Sequence, residues 1–111
     1  MKSIWSTSTP RRALRFEKTR PALILQNDIA NRHSPIAIVA AIPSTFGDPR
    51  YPTEVLVAQP EGGLSVDSVV LLNQIRSTDR RRLTKRRGVV RPATMDKVEQ
   101  AMQISLGLLK L

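Results

Sequence analysis

Arg20 stands just before an apolar run, in Thr19-Arg20-Pro21-Ala22-Leu23-Ile24-Leu25, and Ser44-Thr45 follow shortly after a second apolar run at 36–42. If the two runs are neighbouring strands, their ends lie side by side and a guanidinium meets hydroxyl groups. Such a pair suits a phosphodiester, because the guanidinium fork holds two phosphate oxygens and stays charged. Other chemistries are poorly supplied. His33 is the single histidine and cysteine is absent, which leaves no thiolate nucleophile, no disulfide and no two-histidine metal site. A lone loop histidine reads as an exposed bystander. No glycine-rich phosphate loop joins a strand to a helix. The carboxylates are scattered, with no spacing that pairs them for acid–base work. Neither a cofactor nor a metal is expected.

These groups need a scaffold. Residues 1–19, rich in Ser, Thr, Arg and Pro, read as loop or weak strand. Strands are expected at 21–27, 36–42, 53–59 and 68–76, the last being the strongest, with a short one at 88–91. Pro43, Gly47, Pro49 and Pro52 make 43–52 a loop, and Pro60-Glu61-Gly62-Gly63 a turn. Thr78-Asp79 offers a cap for one helical turn through Arg82-Leu83. The one long helix starts at Pro92, with Met95, Val98, Met102 and Leu106 on one face and Ala101 and Ser105 beside them. Asp96 is placed in its first turn, where it complements the helix dipole, and Gly107 at its stop. Five short strands and a late helix predict a small, bent antiparallel sheet or open barrel with the helix packed on one face. Nothing marks a boundary, so residues 1–111 read as a single domain.

Composition narrows the partner. Lys and Arg number 18 against 9 Asp and Glu, a formal charge of +9, which favours a polyanion: nucleic acid, an acidic protein or an anionic surface. No apolar run approaches the roughly 20 residues that span a bilayer, and the first residues lack the apolar core of a secretory signal. The expected location is the cytoplasm, away from membranes. A core drawn from 111 residues is modest, so burying a further face in a dimer or complex would help it. The basic runs Arg80-Arg81-Arg82 and Lys85-Arg86-Arg87 read first as solvated faces, without interleaved aromatics for base stacking.

Several segments resemble the MazF/PemK toxins, in order from about residue 18 to residue 108. They are 19–28, Ile38-Val39-Ala40-Ala41-Ile42, Tyr51-Pro52-Thr53-Glu54-Val55, the stretch 67–79 with its Gln74-Ile75-Arg76, and Ile104-Ser105-Leu106-Gly107-Leu108. The resemblance implies a mainly β (α+β) fold, an SH3-like small barrel of about five to seven strands with a C-terminal α-helix. It implies a homodimer, a cognate antitoxin, and sequence-specific, metal-independent cleavage of single-stranded mRNA by attack of a 2′-OH on the adjacent phosphodiester. The family's arginine falls on Arg20, with Ser44 or Thr45 as the hydroxyl partner. Arg15, Lys18, Thr19, Gln74 and Arg76 are then the expected RNA contacts. A third use of this fold, poisoning gyrase by binding it, fits the Arg-Pro strand and the Gln-Ile-Arg segment poorly.

Two departures bear on activity. Where the family carries a hydroxyl residue directly after the second strand, this chain has Pro43, which has neither hydroxyl nor N–H. The alternative reading is therefore a catalytically impaired relative that dimerises and binds antitoxin without cleaving RNA. Residues 6–17 are also atypical: relatives continue Ile-Trp with Val-Asn-Leu-Asn-Pro-Thr-Lys-Gly-Ser-Glu. Read from the third base of the Trp5 codon, Trp-Ser-Thr-Ser-Thr-Pro can spell Val-Asn-Leu-Asn-Pro, so 6–17 reads as a family segment out of frame. Translated as written, it would weaken or remove the first strand, since Arg11, Arg12 and Arg15 do not suit a barrel interior. The codons of residues 5–17 are expected to spell the family segment in a shifted frame. Codons that cannot do so contradict this.

Overall fold

The computed structural model describes residues 2–8, 19–25, 34–47 and 50–108. Among these residues the chain forms β1 (Ser3–Ser8), β2 (Thr19–Ile24), β3 (Ile36–Ala41), β4 (Glu54–Val57), β5 (Ser68–Leu71), β6 (Ile75–Asp79), β7 (Leu83–Val89) and α1 (Pro92–Ser105). One sheet runs β6-β3-β2-β1-β7 and a second pairs β4 with β5, every pairing being antiparallel. The result is the expected small, mainly β fold with a C-terminal helix, built as two sheets and not as one closed barrel.

Register sorts the side chains. Ile4 pairs with Leu23 and Leu23 with Ala40, and these three join Val55, Val57, Val70, Leu72, Val90, Val98 and Ala101 in the main core. The alternate residues Ala22, Ile24, Ala37 and Val39 form a second cluster, backed by Trp5 and Leu83. Where both faces are buried, at Ala22, Leu23 and Ile24 in β2 and at Val39 and Ala40 in β3, consecutive positions must be apolar, whereas Ile36 and Ile38 stay exposed.

Three expectations need correction. The first strand is neither lost nor at an edge. β1 lies between β2 and β7, with Ile4 and Thr7 buried. Its polar residues are accommodated by hydrogen bonds: the Thr7 hydroxyl donates to the Arg20 carbonyl at 3.1 Å, and Arg87 donates to Ser6 Oγ at 3.4 Å. Arg11, Arg12 and Arg15 lie outside the described residues. Second, 68–76 is not one strand. It breaks at a turn closed by Gln74 N–H donating to the Leu71 carbonyl at 3.2 Å, because β5 belongs to one sheet and β6 to the other. Third, the last strand extends back from 88–91 to Leu83, so Lys85-Arg86-Arg87 sit in a ladder and not in a turn.

The predicted turn at Thr78-Asp79 forms as a 3-10 turn over Arg80–Arg82, with Asp79 accepting from Arg81 N–H. Hydrogen bonds from the Arg81 side chain and backbone hold the Asp79 carboxyl down at about 2. In α1, Val98 and Ala101 are buried and Met95 and Met102 pack beside them, but Leu106 is exposed at the helix end. Gly107, at φ +77°, closes the helix, with its N–H donating to Ile104 and that of Leu108 to Gln103. This is a Schellman stop, as the glycine predicted.

Asp96 falls beyond the first turn of α1, which holds no acid of its own. A carboxylate from elsewhere takes that place: Glu61 accepts from Arg91 N–H at 2.9 Å and Arg91 Nη2 at 3.0 Å. Its side chain is 7% exposed. Burial pushes the Glu61 carboxyl up, but hydrogen bonds from Thr94 and Arg91, with the Arg91 charge, together pull it below its ordinary value. Stability from a lowered carboxyl is present above its unfolded pKa and lost as pH falls through the folded one. Glu61→Gln is expected to cost about 1 kcal/mol at neutral pH, and urea unfolding of the two proteins should converge in acid. An offset that persists unchanged at low pH contradicts this role.

Candidate functional site

Two X-Pro steps shape one end of the larger sheet. Proline disfavours helical backbone in the residue before it, so Arg20 is extended at the start of β2. Ile42 N–H donates to the Pro21 carbonyl at 3.3 Å, which lays the end of β3 beside the start of β2. Pro43 has no N–H to continue that ladder; its carbonyl instead accepts from Val69 N–H at 3.0 Å, drawing β5 to the same place. Beyond β5 the turn at Leu72-Asn73 delivers Gln74.

A cleft of about 700 Å³ opens where these ends converge. Arg20, Ser44, Thr19, Gln74 and Arg76 all line it, so five of the residues singled out from the sequence are brought together. Thr45 is exposed and does not line it, so of the two predicted hydroxyl partners only Ser44 shares the cleft with Arg20. Arg15, Lys18 and His33 lie outside the described residues. The lining also includes Thr7, Ser65, Ser68 and Arg87, which the sequence reading missed. Their spacing carries no signal; only the pairing of β1 with β2 and β7 places two of them here.

The electrostatics are one-sided. Among the described residues, three arginines line the cleft and no carboxylate does, an arrangement that attracts and holds phosphate oxygens. Hydroxyls of Thr19 and Ser44 add neutral donors. Among the described residues no group of three His, Cys, Asp or Glu is placed to hold a metal, and no helix is long and apolar enough to cross a membrane.

Comparison with known proteins identifies the family. Residues 2–106 match the PemK-like, MazF-like toxins of type II toxin–antitoxin systems. The chain belongs to this family. It is 48% identical to Endoribonuclease EndoA of Bacillus subtilis over 90 residues, covering 81% of this chain and 78% of the relative. The fold is shared with the Mycobacterium tuberculosis toxin MazF-mt6, at TM-score 0.82 and 23% identity over 96% of this chain and 98% of that one. A mycobacterial endoribonuclease solved in complex with its cognate antitoxin superposes at TM-score 0.75 and 25% identity, covering 97% and 94%.

Within the family's cleft the backbone of Arg20 is tied to β1 by the Thr7 hydroxyl, itself 2% exposed. Thr7→Val keeps the shape and removes the donor, at an expected cost of about 1 kcal/mol of unfolding free energy in urea. A variant as stable as the parent contradicts the tie.

Proposed function

We propose that this chain is an endoribonuclease toxin that cuts single-stranded mRNA at a preferred sequence without a metal ion. The observation that supports this best is that Arg20 and Ser44 line one cleft in which the charged groups, among the described residues, are all arginines, in a chain 48% identical to an endoribonuclease. Thr19, Gln74 and Arg76, on the same cleft, are the proposed contacts to the strand, joined by Arg15 and Lys18.

In the proposed reaction the ribose 2′-oxygen bonds to the adjacent phosphorus as the bond to the 5′-oxygen breaks. The 2′-OH gives up its proton and the departing 5′-oxygen acquires one, leaving a 2′,3′-cyclic phosphate and a 5′-hydroxyl. DNA lacks the attacking group and is not cut. Solvent water takes the 2′-OH proton and returns one to the 5′-oxygen, while charge builds on the non-bridging phosphorane oxygens, where the Arg20 guanidinium, staying charged, stabilises it by hydrogen bonds. Ser44 Oγ supplies the neutral donor that the family carries one position earlier, at the place of Pro43.

The partners proposed are those of the family: a second copy of the chain and a cognate antitoxin, for which a charge of +9 favours an acidic binding segment. Residues 1–111 would act as one toxin domain in the cytoplasm.

Incubation with a long single-stranded RNA in excess chelator, with the cut ends mapped, tests the reading. Defined cuts are expected, lowered at least about 10²-fold in Arg20→Ala and Ser44→Ala and changed little in Thr45→Ala. A folded chain that leaves the RNA intact points instead to an antitoxin-binding remnant disabled by Pro43.

A further inference from the structure

We propose that Arg87 is a phosphate-holding residue of the same cleft, gripping a phosphate of the bound strand next to the one at Arg20; this rests on the endoribonuclease reading above. The first support is backbone geometry. β1 pairs Ile4 with Gly88 and Trp5 with Arg86, so Arg87 is the extra residue of a β-bulge. Bulges turn a side chain away from the direction the ladder would give it. Here the effect is selective: Lys85 and Arg86 of the same basic run are exposed, whereas Arg87 is half-buried and lines the cleft.

The bulge is braced. A Cβ on Gly63, at φ +75°, would collide with the Arg87 carbonyl, and one on Gly88 would lie 2.6 Å from the carbonyl carbon of Gly62. Glycine at both places lets the Gly62-Gly63 turn seat directly on the bulge. Glu61, next in that turn, is fixed to Arg91 just beyond β7. The Arg87 backbone is thus held from two sides, as a binding residue requires.

The guanidinium itself is only lightly engaged. Its Nη1 donates to Ser6 Oγ over 3.4 Å, a long bond for a charged donor, and among the described residues no carboxylate lines the cleft to neutralise it. Arg20 and Arg87 stand on the two strands that flank β1, opposite Thr7 and between the partners of Ile4 and Trp5 respectively, so two strand spacings and an offset of two to three residues put their backbones roughly 13 Å apart. With Arg76 they put three positive charges around one cleft. A single phosphodiester carries one negative charge, so successive phosphates of a strand are needed to balance them.

The test uses a fluorescent single strand lacking every 2′-OH, which the proposed reaction cannot cut, with affinity followed by anisotropy across a salt series. Losing one phosphate contact lowers the slope of log K against log salt by about 0.7 for single strands. Arg87→Met is expected to show that drop and roughly tenfold weaker binding at low salt, while Arg87→Lys keeps the slope. Lys97→Ala, on α1 and outside this cleft, removes the same charge and should leave the slope in place. Should Arg87→Met not fold, Arg87→Gln retains a donor for Ser6 and makes the same comparison. A parent that cuts RNA while its Arg87 variants keep the full slope, or lose no more than Lys97→Ala, overturns this assignment alone. A parent that neither binds nor cuts overturns the endoribonuclease reading with it.

Discussion

The ladder between β2 and β3 ends at the bond from Ile42 N–H to the Pro21 carbonyl, because Pro43 carries no N–H to extend it. Beyond that rung Arg20 and Ser44 both line the cleft. The freed Pro43 carbonyl then captures Val69 N–H, so the residue that stops one sheet also fastens the other to it. Arginine, hydroxyl and the Gln74 turn meet because two prolines limit where hydrogen bonding can continue.

The remaining wall comes from β1 and β7. Ser and Thr in the interior of a sheet ordinarily cost free energy unless their hydroxyls are paired. Here the Thr7 hydroxyl is bonded to the backbone of β2, and Ser6 accepts from Arg87 on β7. Thr84 donates to the Ser6 carbonyl as well, at 3.1 Å. A segment that looked too polar for a strand therefore holds its neighbours through those same groups. The paired glycines at 62 and 63 extend this bracing from β7 to the start of α1, through Glu61 and Arg91.

Much of this arrangement was legible in the residues. The runs at 21–27 and 36–42 announced strands, the proline and glycine flanking α1 announced its ends, and the Arg20 and Ser44 positions followed from adjacent strand ends. What was hidden depended on long-range pairing. A break inside 68–76 is invisible while the run is read alone, since it arises from β5 and β6 joining different sheets. Glu61 took the role given to Asp96 because a distant turn packs against the helix start. Arg87 was indistinguishable from its basic neighbours until the register of β1 and β7 singled it out. Thr45 lies off the cleft that its neighbour Ser44 lines, and a sequence cannot say which of two adjacent hydroxyls meets it.

In the chemistry proposed for the cleft, the RNA supplies its own nucleophile and the protein supplies position and positive charge. The most direct test replaces a single ribose with deoxyribose immediately 5′ of a mapped cleavage site, in an otherwise unchanged RNA. Loss of that one cut, with cleavage at other sites of the same RNA unaffected, is the predicted result. Continued cutting at the deoxy position would contradict attack by the 2′-OH and with it the role assigned to the cleft.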